Sequence, residues 1–389
     1  MATKPTNPTK PQAELDDLRS AIDALDDELL RLLQRRVQLA AKVGARKQHA
    51  DDGAPFYVPS REAAIIRRLL ARSHAQPSDR VQLPDAAIHG VFREVIGACL
   101  ALEHPLTIAY LGPEGTFSHT AATRQFGATA GYDSCGNFRQ IFDRVERGQV
   151  SYGVVPVENA LEGAVTNTLD LLSEDGCRVQ ICAEIQLGIH HHLFSYAESL
   201  ADIRQVISHP QPLAQCRGWL EMNLPQAQWL ESDSTVEGAQ RIVAAKQGGE
   251  SAIDWRHTAA IGPFGLVDVT DLNLLQRNIE DQRDNITRFY VIGGHDSPPS
   301  GEDKTALMLS VRDEPGALYS LIRPFAKRDI GLTRIESRPS RKQLWQYVFF
   351  MDIVGHRSDA AVVDALAEIE AMPSALVRVL GSYPVSRPL

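Results

Sequence analysis

Apolar residues recur through the first fifty positions in alternating steps of three and four. Leu15, Leu18, Ile22, Leu25, Leu29, Leu32, Leu39 and Val43 form one stripe, the seam of a long helix packed against another helix. Arg36 stands on that stripe where a leucine is expected. An unpaired guanidinium buried in a seam is costly, so Arg36 calls for an anionic partner. Lys47, eleven residues on, returns to nearly the same face. Arg19 lies on a different face, from which it can reach a pocket in a neighbouring subunit. Cations gathered inside a helical assembly suit a small polyanion. A coiled coil with one tolerated arginine fits this stretch equally well.

The long helix is expected from Leu15 to about His49, with a break at Asp51–Pro55. A second helix fits Ser60–Ser73, with Ser60 as N-cap and Glu62 in the first turn. Pro77–Pro84 is another break, and a third helix fits Asp85–Glu103. No strand pattern occurs here, so residues 13–104 read as an all-helical domain.

From Pro105 the pattern changes. Thr107–Leu111 is a short apolar strand running into Gly112-Pro113-Glu114-Gly115-Thr116-Phe117-Ser118. Helices at Phe138–Arg147 and Val165–Ser173 alternate with extended runs at Tyr152–Val157 and Val179–Leu187. Val206–Ser208 is a strand followed by a helix through Trp219, and Arg288–Ile292 closes the section. This alternation predicts an α/β domain over 105–293. Gly293–Asp303 reads as a linker. Residues 304–384 then show strands at Ala306–Val311, Leu332–Ser337, Gln346–Ile353 and Leu376–Leu380. Helices at Gly316–Arg328 and Asp359–Ile369 complete a ferredoxin-like α+β order.

Hydrophobic content of 43% and charged content of 23% fit a multidomain soluble protein. A net charge of −9 argues against a general nucleic-acid binder. No apolar run is long enough to span a bilayer. Met1–Gln12 lacks the apolar core of a secretory signal and reads as a disordered tail. The five cysteines show no C-x2-C spacing, so reduced thiols in a cytoplasmic protein are expected.

Three features together carry a resemblance: the cation-bearing first helix, the run Asn285-Ile286-Thr287-Arg288-Phe289, and Gly316-Ala317-Leu318 with Glu336-Ser337-Arg338-Pro339. In this order the chain resembles the bifunctional chorismate mutase/prephenate dehydratases over nearly its full length. The resemblance implies a helical mutase domain and a two-lobed dehydratase domain like the type II periplasmic binding proteins. A C-terminal ACT regulatory domain, no cofactor and no metal, and a homodimer or larger homo-oligomer are also implied.

For the mutase, the resemblance implies that Arg36 and the partner-donated Arg19 bind the carboxylates of chorismate. Lys47 would donate to the ether oxygen, and Arg61 and Glu62 would lie beside the substrate, Glu62 at its hydroxyl. Cys99 and Glu103 share a face of the third helix. Other members carry Gln where this chain has Glu103, and a carboxylate donates a hydrogen bond only when protonated. Glu103 is therefore expected to be held protonated in the occupied site. Val58 and Cys99 replace an Asp and a Ser found in some members, each removing a polar contact.

For the dehydratase, Thr287 and Arg288 would be the central pair, with Phe289 beside them. Thr116 and Ser118 open a helix whose free N–H groups favour an anion, although Thr116 also reads simply as a cap. Glu158, Asn159, Ser208, His209 and Gln215 would complete the prephenate site, with Thr287 and Glu158 both candidates for the acid. Ala160 replaces a common Ser or Thr, and Trp255–Gln276 fits the family poorly and receives no assignment. His190, His191 and His192 alternate in direction along an extended chain, so they do not converge on a metal. Gly316, Ala317, Leu318, Glu336, Ser337, Arg338 and Pro339 would frame a site for the effector L-phenylalanine.

Two other functions are weighed against this one. A mutase fused to prephenate dehydrogenase needs a dinucleotide site, and no G-x-G-x-x-G follows a strand here. A non-enzymatic ligand sensor leaves the helical cations unexplained.

Overall fold

The computed structural model describes residues 10–49, 55–75, 81–249, 252–312, 314–339, 347–373 and 375–386. The expected tail at 1–9, part of each helical break and Gln346 lie outside these residues. Three helices come first: α1 (Lys10–His49), α2 (Pro59–His74) and α3 (Asp85–Glu103). At 1.5 Å per residue, the 40 residues of α1 reach about 60 Å. The helix begins ahead of Leu15 and takes in residues 10–12, which the sequence assigned to the tail. Ser60 is not the cap of α2. Val58 holds that position, and Pro59 opens the helix with its fixed φ. The Ser60 N–H instead donates to Ser297 Oγ at 3.1 Å.

The next section holds two α/β lobes. Lobe one contains β1 (Thr107–Leu111), α4 (Phe117–Phe126), β2 (Gly131–Cys135), α5 (Phe138–Glu146), β3 (Tyr152–Asn159), β4 (Gly163–Ala164), α6 (Thr166–Leu172) and β5 (Gln180–Gly188). Lobe two contains β6 (His192–Ser195), β7 (Gln205–Ser208), α7 (Pro210–Gln215), α8 (Arg217–Asn223), β8 (Gln228–Glu231), α9 (Thr235–Lys246), β9 (Thr258–Gly262), α10 (Leu266–Val269) and β10 (Asn273–Gln276). The chain then returns to lobe one as β11 (Ile286–Gly293), inserted antiparallel between β3 and β5. The sheet orders are β2-β1-β3-β11-β5 and β10-β6-β9-β7-β8. Two crossovers, 189–191 and 277–285, join the lobes. They are bonded to each other through Ile189 N–H to Asn285 O and Ile279 N–H to His191 O.

The last section contains β12 (Asp303–Val311), α11 (Ala317–Ala326), β13 (Leu332–Pro339), β14 (Tyr347–Val354), α12 (Ala360–Glu370) and β15 (Leu376–Pro384). Its antiparallel order β13-β14-β12-β15 is the ferredoxin-like one. One face of this sheet packs on its two helices through Leu307, Leu309, Met351 and Ile353. The other face supplies Ala306, Met308, Phe350, Leu380 and Tyr383 to a core shared with Val155, Tyr290 and Ile292 of lobe one. The expected linker therefore does not separate two bodies. Ser297 within it donates to Ser382 O and accepts from Ser60. Gly381, at φ +149°, lets β15 lie directly on the backbone of Ile181.

Candidate functional sites

The three helices enclose a cavity of about 440 Å³ lined by Arg36, Lys47, Val58, Arg61, Glu62, Cys99 and Glu103 among others. Arg36 donates to Val95 O at 3.1 Å and to the Cys99 thiol. The Lys47 ammonium donates to Pro55 O and Phe56 O at 3.1 and 3.2 Å. These carbonyls aim it without neutralising it, and a polyanion finds both charges available. A side chain at Gly44 would crowd the stem of Glu103 at 3.1 Å, so α1 and α3 approach closely there. Burial raises the pKa of Glu103, while Lys47 and Arg36 oppose the shift. Glu62 is buried and ion-paired with Arg93, and burial raises its pKa too. A substrate hydroxyl there would share Glu62 with Arg93.

Arg19 stands apart. It precedes Arg36 by 17 residues, about 25 Å along the helix. Its side chain is 62% exposed and meets Asp16 at 3.2 Å. The apolar stripe of α1 is open as well, Leu18 and Leu25 being 63% and 60% exposed. An exposed apolar stripe of this length marks an interaction surface.

The second cavity, about 300 Å³, lies between the two lobes and is lined by Thr116, Ser118, Asn159, His191, His209, Gln215, Thr287 and Phe289 among others. Thr116 caps α4, and Ser234 caps α9 from the opposite lobe. Both helix starts line the cleft, so N–H groups and positive dipole ends face it from two sides. Asn159 Nδ2 donates to Thr287 Oγ1 at 2.8 Å and to Asn285 Oδ1 at 2.9 Å. Its Oδ1 accepts from the Leu161 and Glu162 N–H groups. Both ends of Asn159 are thus fixed.

The structure corrects three expectations for this cleft. Neighbouring strand residues face opposite ways, so Arg288 and Glu158 point away from it. Arg288 is buried against Glu184 at 2.7 Å, Asp352 at 2.6 Å and Tyr383 Oη at 2.9 Å. Glu158 lies toward Arg334 at 3.5 Å, which removes it as the acid in the cleft. Ser208 is fully buried, and its hydroxyl donates to Ile261 O at 2.8 Å.

His191 is a lining residue that the sequence passed over. Gln215 gives Nε2–H to Glu162 at 2.9 Å and presents Oε1 to His191 Nε2 at 2.8 Å. In the neutral ring that relay sets the His191 tautomer as Nε2–H, and burial lowers the ring's pKa. His190 and His192 face the other way, as strand alternation requires, and line a separate cavity. Among the described residues no cluster fit to hold a metal ion occurs.

In the third domain Gly316 adopts φ +84° and opens α11, followed by Ala317 and Leu318. Strand β13 is an edge strand. Ser337 pairs with Phe349 and shares the helix-covered face. Glu336 pairs with Phe350, which belongs to the core shared with lobe one, and so projects to the opposite face. Arg338 follows it there and meets Asp170 of α6 at 3.1 Å. Pro339 ends the strand. The expected effector residues therefore divide between two faces.

Comparison with known proteins joins these sites. Residues 18–104 match the family model chorismate mutase type II, 108–297 prephenate dehydratase and 305–371 the ACT domain. A bifunctional chorismate mutase/prephenate dehydratase of Aquifex aeolicus is 43% identical over 95% of this chain and 98% of its own length. The chain belongs to the bifunctional chorismate mutase/prephenate dehydratase family. The relative from Pseudomonas aeruginosa is 41% identical, over 96% of this chain and 98% of its own. Among solved structures, the prephenate dehydratase of Arthrobacter aurescens in complex with L-Phe covers 72% of this chain and 90% of its own. Its TM-score is 0.64 at 34% identity. The enzyme therefore has a mutase and a dehydratase activity in one chain, followed by an ACT domain. Among the described residues no helix is long and apolar enough to cross a membrane.

Proposed function

We propose that the helical cavity binds chorismate, with Arg36 on one carboxylate and Arg19 of a second copy of the chain on the other. The rearrangement is pericyclic and needs no nucleophile. It needs a folded substrate conformer and stabilisation of charge growing on the ether oxygen. Lys47 and a protonated Glu103 serve that oxygen from two sides. The open stripe of α1 and the isolation of Arg19 on its own chain support a homodimer.

Prephenate then binds between the lobes, its carboxylates at the starts of α4 and α9. Loss of the ring carboxylate as carbon dioxide pushes electrons into the ring and expels the hydroxyl, leaving phenylpyruvate. One observation carries the assignment of roles: Asn159 donates to Thr287 Oγ1. The threonine oxygen is thereby an acceptor toward Asn159, and its own hydrogen is directed elsewhere. Thr287 gives that hydrogen bond to the departing hydroxyl. L-Phenylalanine, the end product of this route, binds the ACT domain beside Gly316 and β13 and favours a less active state. The cytoplasm is the expected compartment.

The test is incubation of the purified protein with chorismate alone, following prephenate and phenylpyruvate separately. Both should form in turn without any cofactor. Prephenate accumulating without phenylpyruvate would remove the role given to Thr287. Chorismate decaying only at its uncatalysed rate would remove that given to Arg36 and Lys47.

A further inference from the structure

Four charges lie behind the dehydratase cleft, two from each domain. Thr287 and Asn159 are register partners on β11 and β3, and so are the next pair, Arg288 and Glu158. The first pair faces the cleft and the second faces the ACT sheet. There Arg288 Nη1 lies 2.6 Å from Asp352 Oδ2, and Glu158 Oε2 lies 3.5 Å from Arg334 Nε. Asp352 and Arg334 are themselves register partners, on β14 and β13. Glu158 and Arg288 close the ring at 3.7 Å. Its signs alternate all the way round. Arg288, Arg334 and Asp352 are buried, where weak screening strengthens each attraction. Tyr290 also gives its hydroxyl to Asp352 at 2.9 Å, and Glu184 takes both Arg288 and Lys304.

We propose that Asp352 and Arg334 are positioning residues for the dehydratase reaction, the contacts through which the ACT domain sets the placement of Thr287 and Asn159. Each reaches a cleft residue through one side chain and one peptide bond. Asp352 acts through Arg288 on Thr287, and Arg334 acts through Glu158 on Asn159. The first link is short and buried, the second is longer and partly open at Glu158, and the sheets that carry them share one core. A shift of β13 against β14 is therefore passed to the cleft instead of being absorbed. Strand β13 also carries Glu336–Pro339, so the inference rests in part on the phenylalanine site proposed above.

The test uses the full chain with Asp352→Asn and, separately, Arg334→Met. Dehydratase kcat and KM are measured with and without L-phenylalanine, and L-phenylalanine binding by calorimetry. Near-ultraviolet circular dichroism and the melting temperature of the same preparation serve as the folding control. Misplacing a catalytic group by a fraction of an ångström should lower kcat about three- to tenfold with KM for prephenate within about twofold. Bound L-phenylalanine should inhibit at least about fivefold less, its affinity changing under about threefold. Unchanged kcat together with unchanged inhibition overturns the proposal. If the wild type fails to bind L-phenylalanine, the reading of the ACT site fails on its own. Unliganded kcat then decides for or against Asp352 and Arg334. If a variant misfolds by these measures, Tyr383→Phe replaces it, since it removes neutral contacts to Arg288 and Tyr290 and keeps the ring. A lower kcat then supports the proposal, and an unchanged one overturns it.

Discussion

Replacing Gly381 with alanine should damage the dehydratase and leave the mutase running. A methyl group at Gly381 would sit 2.1 Å from Ile181 O and 2.7 Å from Ile181 N. Both are backbone atoms of β5, the edge strand on which β15 lies, and neither can rotate away. A carbon needs about 3.3 Å from a carbonyl oxygen, so β15 must withdraw by roughly 1 Å. A gap of that size forfeits about a quarter to a half of the dispersion attraction across the contact. Tyr383, two residues on, would also lose its 2.9 Å contact with Arg288. Overpacking costs about 1–3 kcal/mol and a lost bond to a charged group about 1.5–3, together about 2.5–6 kcal/mol. For a unit this large, that lowers the melting temperature by roughly 4–10 °C. Scanning calorimetry, with both activities assayed after stepwise heating, separates the two outcomes. Dehydratase activity should disappear at the lower temperature while mutase activity survives. Equal melting within about 1 °C and a full dehydratase rate would show that the two sheets are not packed as described.

Glu103→Gln tests the protonated donor. In the wild type, mutase activity should fall as pH rises through the raised pKa of Glu103, because only the protonated carboxyl donates. The glutamine variant should hold its rate across that range, and an unaltered profile would be the contrary result. Thr287→Val keeps shape and removes the hydroxyl, so dehydratase kcat should drop about 10²- to 10³-fold while mutase turnover is unchanged. Thr287→Ser should recover much of the loss, and full activity in the valine variant would exclude the hydrogen bond to the leaving group. Leu25→Asp puts a charge on the open stripe of α1. Analytical ultracentrifugation should show smaller species, with mutase activity lost and dehydratase activity kept.

Much of the architecture was legible because the strongest patterns are local. Helix α3 runs from Asp85 to Glu103 as its periodicity indicates, and β1 spans Thr107–Leu111. Lobe two was harder to read. Strand β9 is Thr-Ala-Ala-Ile-Gly and wholly buried, so it has no alternation to reveal it. Strand β2 is a polar edge strand with a single buried residue. For the sites, residue type was informative and direction was not. Arg288 and Glu158 sit beside the cleft in sequence, yet strand alternation turns both to the ACT domain. Strand phase depends on pairing, and β11 pairs with β3 from more than a hundred residues away. His191 was hidden for a related reason, since its tautomer is set by Gln215 and Glu162, which only the folded chain brings to it.

The open stripe of α1 has a consequence for how the two reactions respond to the amount of enzyme. The dehydratase cleft is built within one chain, from Thr287, Asn159 and the two lobes. In the proposed pairing, the mutase cavity receives its last cation, Arg19, only when two copies meet. The first reaction then depends on association by mass action, and the second does not. At high abundance prephenate is made where it is consumed. At low abundance separated chains would still convert prephenate but would no longer produce it. The ratio of the two rates would then report how crowded the enzyme is with copies of itself.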